Sequence, residues 1–135
     1  MTALAVQKAI LGALASLAAP AADGGSPVAV PVYDHTPEGA AFPHVSLDGH
    51  QTTPADDLSS RMDRHTVYLT VWSLYRGKRQ VQEICAAVHA ALHEVALVLE
   101  SGALVSCRVQ SILVRRDADE QTYQGSMTLA VITEP

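Results

Sequence analysis

Residues 65–74 have the sequence HTVYLTVWSL, which combines β-branched and aromatic residues in the pattern of a β-strand. Successive side chains of a strand point to opposite faces of its sheet. One face carries Val67, Leu69 and Val71, and the other carries Tyr68, Thr70, Trp72 and Leu74. Because both faces are largely apolar, the segment predicts a central strand that is covered on both sides.

The chain after this strand predicts a helix over Arg79–Val95, beyond the interruption at Gly77. Its apolar residues recur at helical spacing and comprise Val81, Ile84, Cys85, Val88, Leu92 and Val95. The opposite side carries Ala86, Ala87 and Ala90, small residues that permit close approach by another chain, although helix propensity also accounts for them. These alanines, with Tyr68 and Trp72 of the central strand, form the candidate subunit interface, together with the edges of the predicted sheet.

Two strands joined by a hairpin are predicted next. Leu97–Leu99 and Ala103–Val114 flank Glu100-Ser101-Gly102, in which the glycine suits a tight turn. Alternation in the second of these segments predicts four core-facing residues, Val105, Cys107, Val109 and Leu113. Tyr123–Thr133 predicts the last strand, with inward-facing Met127, Leu129 and Val131.

The N-terminal residues 1–22 have two interpretations. An amphipathic helix is predicted by the helical spacing of Val6, Ile10, Leu14 and Leu17. The apolar run before Ala19-Pro20-Ala21 also fits a secretory signal peptide, but its single basic residue, Lys8, lies late in the segment. We therefore favour a helix that is retained and packs on the sheet.

The order of elements predicts an α+β fold. Val28–Tyr33 is a short extended segment whose ladder bonds are limited by Pro27 and Pro31, so it suits a sheet edge, and Pro43–Gln51 predicts a further strand. Together these elements predict a mainly antiparallel sheet of four to five strands, with two helices packed on one face. The 135 residues suit a single domain spanning residues 1–135.

Residues 52–64, TTPADDLSSRMDR, predict a long mobile loop between two strands. The segment is polar and has little apolar content with which to offset the entropy of ordering. We expect it to dock on a partner, and the candidate docking residues are Asp56, Asp57, Leu58, Arg61, Met62 and Arg64. A tolerated surface insertion is the alternative.

Composition narrows the classes of function. The nine basic and fourteen acidic residues give a net charge of −5, which disfavours bulk binding to nucleic acid. No stretch of the sequence has the apolar length of a membrane helix. Apolar residues make up 48% of the chain, a high share for a small monomer, which suggests that some apolar surface faces a partner.

No catalytic constellation is predicted, and neither a cofactor nor a metal is implied. The sequence lacks the Gly-rich phosphate loops and nucleophile motifs of common enzymes. His89 and His93 have the i,i+4 spacing of paired metal ligands, but no third ligand is placed, so a solvated or interface position is favoured over a small metal enzyme. Cys85 and Cys107 fall in apolar patterns and predict buried thiols.

Several motifs in a fixed order resemble one family. They are Val32-Tyr33, Thr36-Pro37, Ala40-Ala41-Phe42-Pro43-His44-Val45, Val71-Trp72-Ser73-Leu74-Tyr75-Arg76-Gly77, Ala90-Ala91-Leu92-His93, Arg115-Arg116-Asp117-Ala118-Asp119 and Tyr123-Gln124-Gly125. In order and spacing they are similar to the tail terminator, or tail completion, proteins of long-tailed bacteriophages and gene transfer agents. The resemblance covers nearly the whole chain, and His44 stands where an aromatic residue is more usual.

The resemblance implies a structural protein without enzymatic activity. Such proteins form a homo-oligomeric ring, typically a hexamer, that caps the tail tube, ends its polymerisation and joins the tail to the head-side connector. The implied partners are other copies of the chain, the tail tube protein and the connector or stopper. DNA would only pass through the lumen, which suits the acidic balance of the chain. The implied location is the neck-proximal end of the virion tail, assembled in the host cytoplasm, without membrane contact.

Two other interpretations stay open. Another head–tail neck component, such as a stopper, would differ from a terminator mainly in its partner. A secreted small binding domain would require residues 1–21 to be a signal peptide.

Overall fold

The computed structural model describes residues 3–19, 27–56, 60–74, 77–117 and 121–135. Two helices, α1 (Ala3–Ala13) and α2 (Arg79–Leu92), accompany a five-stranded sheet. Its strands, in spatial order, are β3 (Val32–Tyr33), β4 (His44–Pro54), β5 (Asp63–Ser73), β7 (Tyr123–Glu134) and β6 (Ala103–Arg116). All neighbours are antiparallel except β3 and β4, and a separate short pair joins β1 (Ala18–Ala19) to β2 (Val28–Ala29). The predicted α+β fold is confirmed.

The core lies between the two helices and one face of the sheet. Val67, Leu69 and Val71 of β5 are buried there together with Val6 and Ile10 of α1. The predicted apolar stripe of α2 is also confirmed, since it buries Val81, Ile84, Cys85, Val88 and Leu92. Met127, Leu129 and Val131 of β7 face the same core, as predicted. None of the helices in the described residues is long and apolar enough to cross a membrane.

Gly125 of β7 lets α2 lie close against the sheet. A Cβ atom at this position would overlap the Cys85 Sγ and would lie 2.9 Å from Val81 Cγ1. Both of these side chains belong to the buried stripe of α2. The absence of a side chain at Gly125 therefore sets the helix-to-sheet distance.

Helix α2 ends earlier than the sequence predicted. The His93 N–H closes the last turn by donating to the His89 carbonyl at 2.8 Å. Glu94 then has a φ of 56°, a left-handed conformation that does not continue the helix. The helix therefore ends at Leu92, three residues before the predicted end at Val95. The predicted strand over Leu97–Leu99 is wrong, because these residues pair with no other strand.

The sheet extends further into residues 52–64 than predicted. Thr52 pairs with His65 and Pro54 with Asp63, so residues 52–54 and 63–64 of the predicted long loop are strand. The connection is shorter, and it is closed by the Ala55 N–H donating to the Met62 carbonyl at 2.8 Å. We call residues 55–62 the β4–β5 turn. Its residues 57–59, which include the candidates Asp57 and Leu58, lie outside the described residues.

Two irregularities in β6 change which of its residues face the core. The register with β7 shifts between Leu104 and Ser106 and again between Val109 and Ser111. Each shift inserts one residue and reverses the alternation beyond it. The prediction that Val105 and Leu113 face the core is therefore wrong, since they are 48% and 58% exposed. Cys107 is buried, as predicted.

Candidate interaction surfaces

No described helix packs on the second face of the sheet, contrary to the prediction for the central strand. Helix α2 packs on the side of Val67, Leu69 and Val71. Tyr68 on the other side is 42% exposed, and Trp72 is half-buried. We call this surface, formed by β4, β5, β7 and β6, the open sheet face.

A hydrogen-bonded network orders the open sheet face. The Trp72 Nε1–H donates to Ser46 Oγ at 3.0 Å, and Ser46 Oγ donates to Asp48 Oδ1 at 2.7 Å. The other oxygen of the same carboxylate accepts a hydrogen bond from Thr70 Oγ1. Asp48 is thus held by two hydroxyl donors and fixes the tryptophan through Ser46. An ordered, half-exposed indole is a typical anchor of a protein interface.

His44 packs among three aromatic rings beside this network. Its imidazole lies 4.9 Å from the Phe42 ring, 5.8 Å from the Tyr33 ring and 6.4 Å from the Trp72 ring, measured between centroids. The His44 Nδ1–H donates to the Ala41 carbonyl at 3.0 Å. The imidazole therefore packs as a planar ring and adds a hydrogen bond to the preceding loop.

Arginine side chains border the open sheet face. Arg64 pairs with Ile132 and Arg108 with Ala130, which places all four residues on this face. A groove runs between Arg64 and Arg108 across Ala130 and Ile132. Glu94 lies 3.7 Å from Arg108, measured from Oε1 to Nε. Positive side chains over an apolar floor suit an acidic protein surface.

The candidate interface residues fall on two opposite sides of the molecule. Ala86 and Ala90 are exposed on the outer side of α2, whereas Ala87 packs against the core. Tyr68 and Trp72 lie on the open sheet face, beyond the sheet from α2. The structure therefore divides these five residues between two separate surfaces and leaves Ala87 only partly exposed.

The candidate docking residues are also divided. Arg61 is exposed, and the Met62 N–H donates to Asp56 Oδ1 at 2.9 Å within the β4–β5 turn. Arg64 does not belong to the turn, because it is part of β5 and projects onto the open sheet face. The turn and this face therefore meet at Arg64.

His89 and His93 are used structurally. Their rings stack with centroids 4.4 Å apart, and His93 Nδ1 accepts the Val109 N–H at 3.0 Å. The hydrogen bond fixes the chain after α2 against β6. Across the described ranges, no three His, Cys, Asp or Glu side chains form a group that could hold a metal ion.

A second histidine pair escaped sequence reasoning. His65 is fully buried, and its Nδ1 lies 2.9 Å from His50 Nε2. Its Nε2 lies 3.1 Å from Thr133 Oγ1. Burial lowers the pKa of both histidines, and the His50 charge lowers that of His65 further, while Asp63 opposes this. Only the β4–β5 register brings the two rings together, so no local sequence signal could reveal the pair.

Comparison with known proteins gives a consistent result. The family model described as tail completion protein gp17 matches residues 8–134. A chain in a solved structure, the virion of a native gene transfer agent particle, is similar with a TM-score of 0.79 and 25% identity. The alignment covers 99% of this chain and 98% of that one. No curated protein sequence matches significantly.

Proposed function

The chain belongs to the tail completion protein gp17 family, and from this premise we propose that it is a tail terminator. It is a structural component of a virion tail. In the proposed role, copies of the chain close into a ring on the end of the tail tube and end its polymerisation. The ring then presents the tail to a head-side connector, and DNA passes through it without specific binding.

The observation that carries this proposal is the likeness, over nearly the full length of both chains, to a chain of a gene transfer agent virion. The placement of the surfaces supports it further. A subunit of a cyclic ring contacts its neighbours through two different surfaces, because the contact is head-to-tail. The chain offers several distinct surfaces for such contacts: the edges of its sheet, the outer side of α2 with exposed Ala86 and Ala90, and the open sheet face with Tyr68 and Trp72.

We assign these surfaces to different contacts. Ala86 and Ala90 would allow a neighbouring copy to approach α2 closely. Tyr68 and Trp72 would contact a second chain, since an ordered aromatic pair bordered by arginines suits an acidic protein surface. The β4–β5 turn, with Arg61 and Met62, would dock on the tail tube or the connector. No cofactor and no catalytic residue takes part.

The proposal is tested by imaging and by tail length. Purified protein, alone and mixed with tubes of the cognate tail tube protein, is examined by negative-stain electron microscopy. The terminator role predicts rings with a central hole on tube ends and tubes that stop growing when the protein is added. Particles produced without the protein should have tails of uncontrolled length. Normal tail length with failed head attachment would instead assign the chain to a stopper role and overturn the proposal.

A further inference from the structure

Each edge of the five-stranded sheet is covered over only half of its length. At one edge, β3 pairs with β4 only at Val45 and Ser46. At the other edge, the first half of β6 is covered by the chain after α2, because the Glu94 N–H donates to the Cys107 carbonyl at 2.7 Å. Beyond these contacts, no described strand or loop backbone is hydrogen-bonded to the outer side of β4 at 49–53 or of β6 at 111–115. We call these segments the bare β4 edge and the bare β6 edge.

The backbone groups of the bare β6 edge can be assigned from the ladder. Cys107 and Val109 direct their backbone groups away from β7, as their bonds to Glu94 and His93 show. Their pairs with Val131 and Leu129 are therefore pairs without backbone hydrogen bonds between β6 and β7. Because such pairs alternate along a strand, Met127 and Gly125 of β7 also belong to pairs of this kind. The partners of these two residues in β6 are Ile112 and Val114. Both therefore direct an N–H and a carbonyl outward.

The same reasoning applies to the bare β4 edge. The Val45 N–H points away from β5, since it donates to the Pro31 carbonyl at 2.9 Å. Val45 and Val71 therefore form a pair without backbone hydrogen bonds between β4 and β5. Alternation along β5 places Val67 and His65 in pairs of the same kind. Their β4 partners are His50 and Thr52, which therefore carry the outward backbone groups.

The two bare edges match each other. In the order β4, β5, β7, β6, strand directions alternate, so β6 of one copy placed beside β4 of the next copy would continue an antiparallel sheet. The outward groups of both edges belong to residues whose side chains share a face with buried Met127 or His65, the face on which the helices pack. Pairing them keeps the helices of both copies on the same side of the joined sheet.

From this match we infer that neighbouring copies join through the sheet, with the bare β6 edge of one copy paired to the bare β4 edge of the next. Aligning the two segments pairs Ile112 with Thr52 and Val114 with His50 through backbone hydrogen bonds. Leu113 then lies opposite Gln51. The occupant of each bare edge is a second copy of this chain. The inference rests on the proposed ring and names its subunit contact.

Charge supports this alignment independently. Arg115 pairs with Gln124, which places it on the open sheet face. In the aligned pair Arg115 lies opposite Gly49, next to Asp48, which also faces that side through its bonds to Ser46 and Thr70. Within the described part of the chain, neither Arg115 nor Asp48 belongs to a salt bridge. The joined sheet would bring the two charges together.

The stagger of this alignment is compatible with closure. Across the sheet of one copy, Ile112 lies level with Met127 and Leu69, whereas Thr52 lies level with His65. Pairing Ile112 with Thr52 of the next copy therefore offsets adjoining copies by four residues, which is the separation of Leu69 and His65 along β5. Four strands of each copy, β4, β5, β7 and β6, share this offset. An offset of about one residue per strand is that of eight-stranded barrels whose strands tilt by about 36°. A staggered edge contact can therefore close into a ring.

Cysteine cross-linking tests the contact directly. Leu113 and Gln51 are exposed and would form a pair without backbone hydrogen bonds, where side chains approach most closely. The double variant Leu113→Cys/Gln51→Cys should form disulfide-linked oligomers under mild oxidation, and each single variant should not. The double variant Arg108→Cys/Gln51→Cys is the matched control, because Arg108 lies on the covered half of β6. Native Cys85 and Cys107 do not interfere, since burial raises the pKa of both thiols to about 11.

Proline substitution tests the backbone. Ile112→Pro removes an outward N–H without removing a bond to β7, and edge strands tolerate such prolines. We expect ring formation to fall at least tenfold, whereas Ile112→Thr, which keeps the N–H, should assemble. If rings form but the cysteine pair does not cross-link and Ile112→Pro still assembles, the edge contact is overturned, whereas the proposal that the protein forms a ring stands. Absence of rings in the unmodified protein, even with tail tubes, would overturn the proposed function itself.

Discussion

The two faces of β5 differ sharply although they alternate along one strand. Val67, Leu69 and Val71 are at most 3% exposed beneath the helices, whereas Tyr68, between them in sequence, is 42% exposed. The helix side is closely packed, and the open side is ordered by hydrogen bonds around Asp48. The comparison shows that an apolar residue in a strand can either pack in the core or stay available to a binding partner. Which of the two applies depends on whether a helix packs on that face of the sheet.

Substitution of adjacent residues should separate the two faces most clearly. Leu69→Ala should lower the free energy of unfolding by about 2–5 kcal/mol, because it leaves a cavity under the helices. Tyr68→Ala should cost less than about 1 kcal/mol in the isolated subunit, since its ring is largely in water. Urea denaturation of both variants checks this. Equal losses would mean that the open face contributes to stability as the core does.

Gly125 is the point at which the closely packed side has the least room. Gly125→Ala should destabilise the fold by about 1–3 kcal/mol, because the added methyl group meets Cys85 and Val81. The double variant Gly125→Ala/Cys85→Ala should lose less stability than the sum of the single variants, since it removes the atom that is overlapped. A double-mutant cycle by thermal unfolding measures this coupling. Strict additivity would contradict the assigned contact.

The histidine pair makes the buried side sensitive to acid. Burial lowers the pKa of His50 and His65 in the folded state, while the unfolded chain takes up protons near pH 6.5. Below about pH 6.5 the unfolded state therefore binds more protons, and stability falls with pH until the lowered folded pKa values are reached. The melting temperature should drop by several degrees from pH 7 to pH 5 and stay level from pH 7 to pH 8. His50→Gln should reduce the drop in melting temperature between pH 7 and pH 5. The same drop in this variant would contradict the assignment of the acid sensitivity to the histidine pair.

The outer side of α2 should respond least in stability and most in assembly. Ala90→Trp places a large ring on an exposed position, so the melting temperature of the subunit should change by no more than a few degrees. Ring formation should be blocked, whereas Ala90→Ser should assemble normally. Size-exclusion chromatography with light scattering compares the two. Normal assembly of Ala90→Trp would exclude this face from the subunit contact.

Much of the fold follows from the sequence alone because its signals are local. The stripe of α2, the alternation of β5 and the apolar positions of β7 each depend on spacing within one element. The positions of Leu113 and Val105 did not follow, since a β6 irregularity is defined only by its partner strand. Strand pairing at Thr52 and Pro54 was missed for the same reason, because polar residues there pair through their backbones.

The candidate interface was only partly predictable. The alanines of α2 and the ring residues of β5 are recognisable in the sequence, but their separation onto opposite sides requires the layer order. Contact through the sheet edges could be predicted, but the bare segments could not be located, since they depend on how far β3 and the residues after α2 extend along their neighbours. Sequence patterns predict which side chains are buried better than which backbone groups stay unpaired.

Trp72 is the single tryptophan of the chain and lies on the open sheet face, with its indole N–H on Ser46. Its fluorescence therefore originates from one known surface and needs no label. Covering that surface would remove water from the half-exposed indole and shift its emission to shorter wavelength. The emission wavelength of Trp72 can therefore show, for each binding step with another copy, a tube or a connector, whether the partner covers this face.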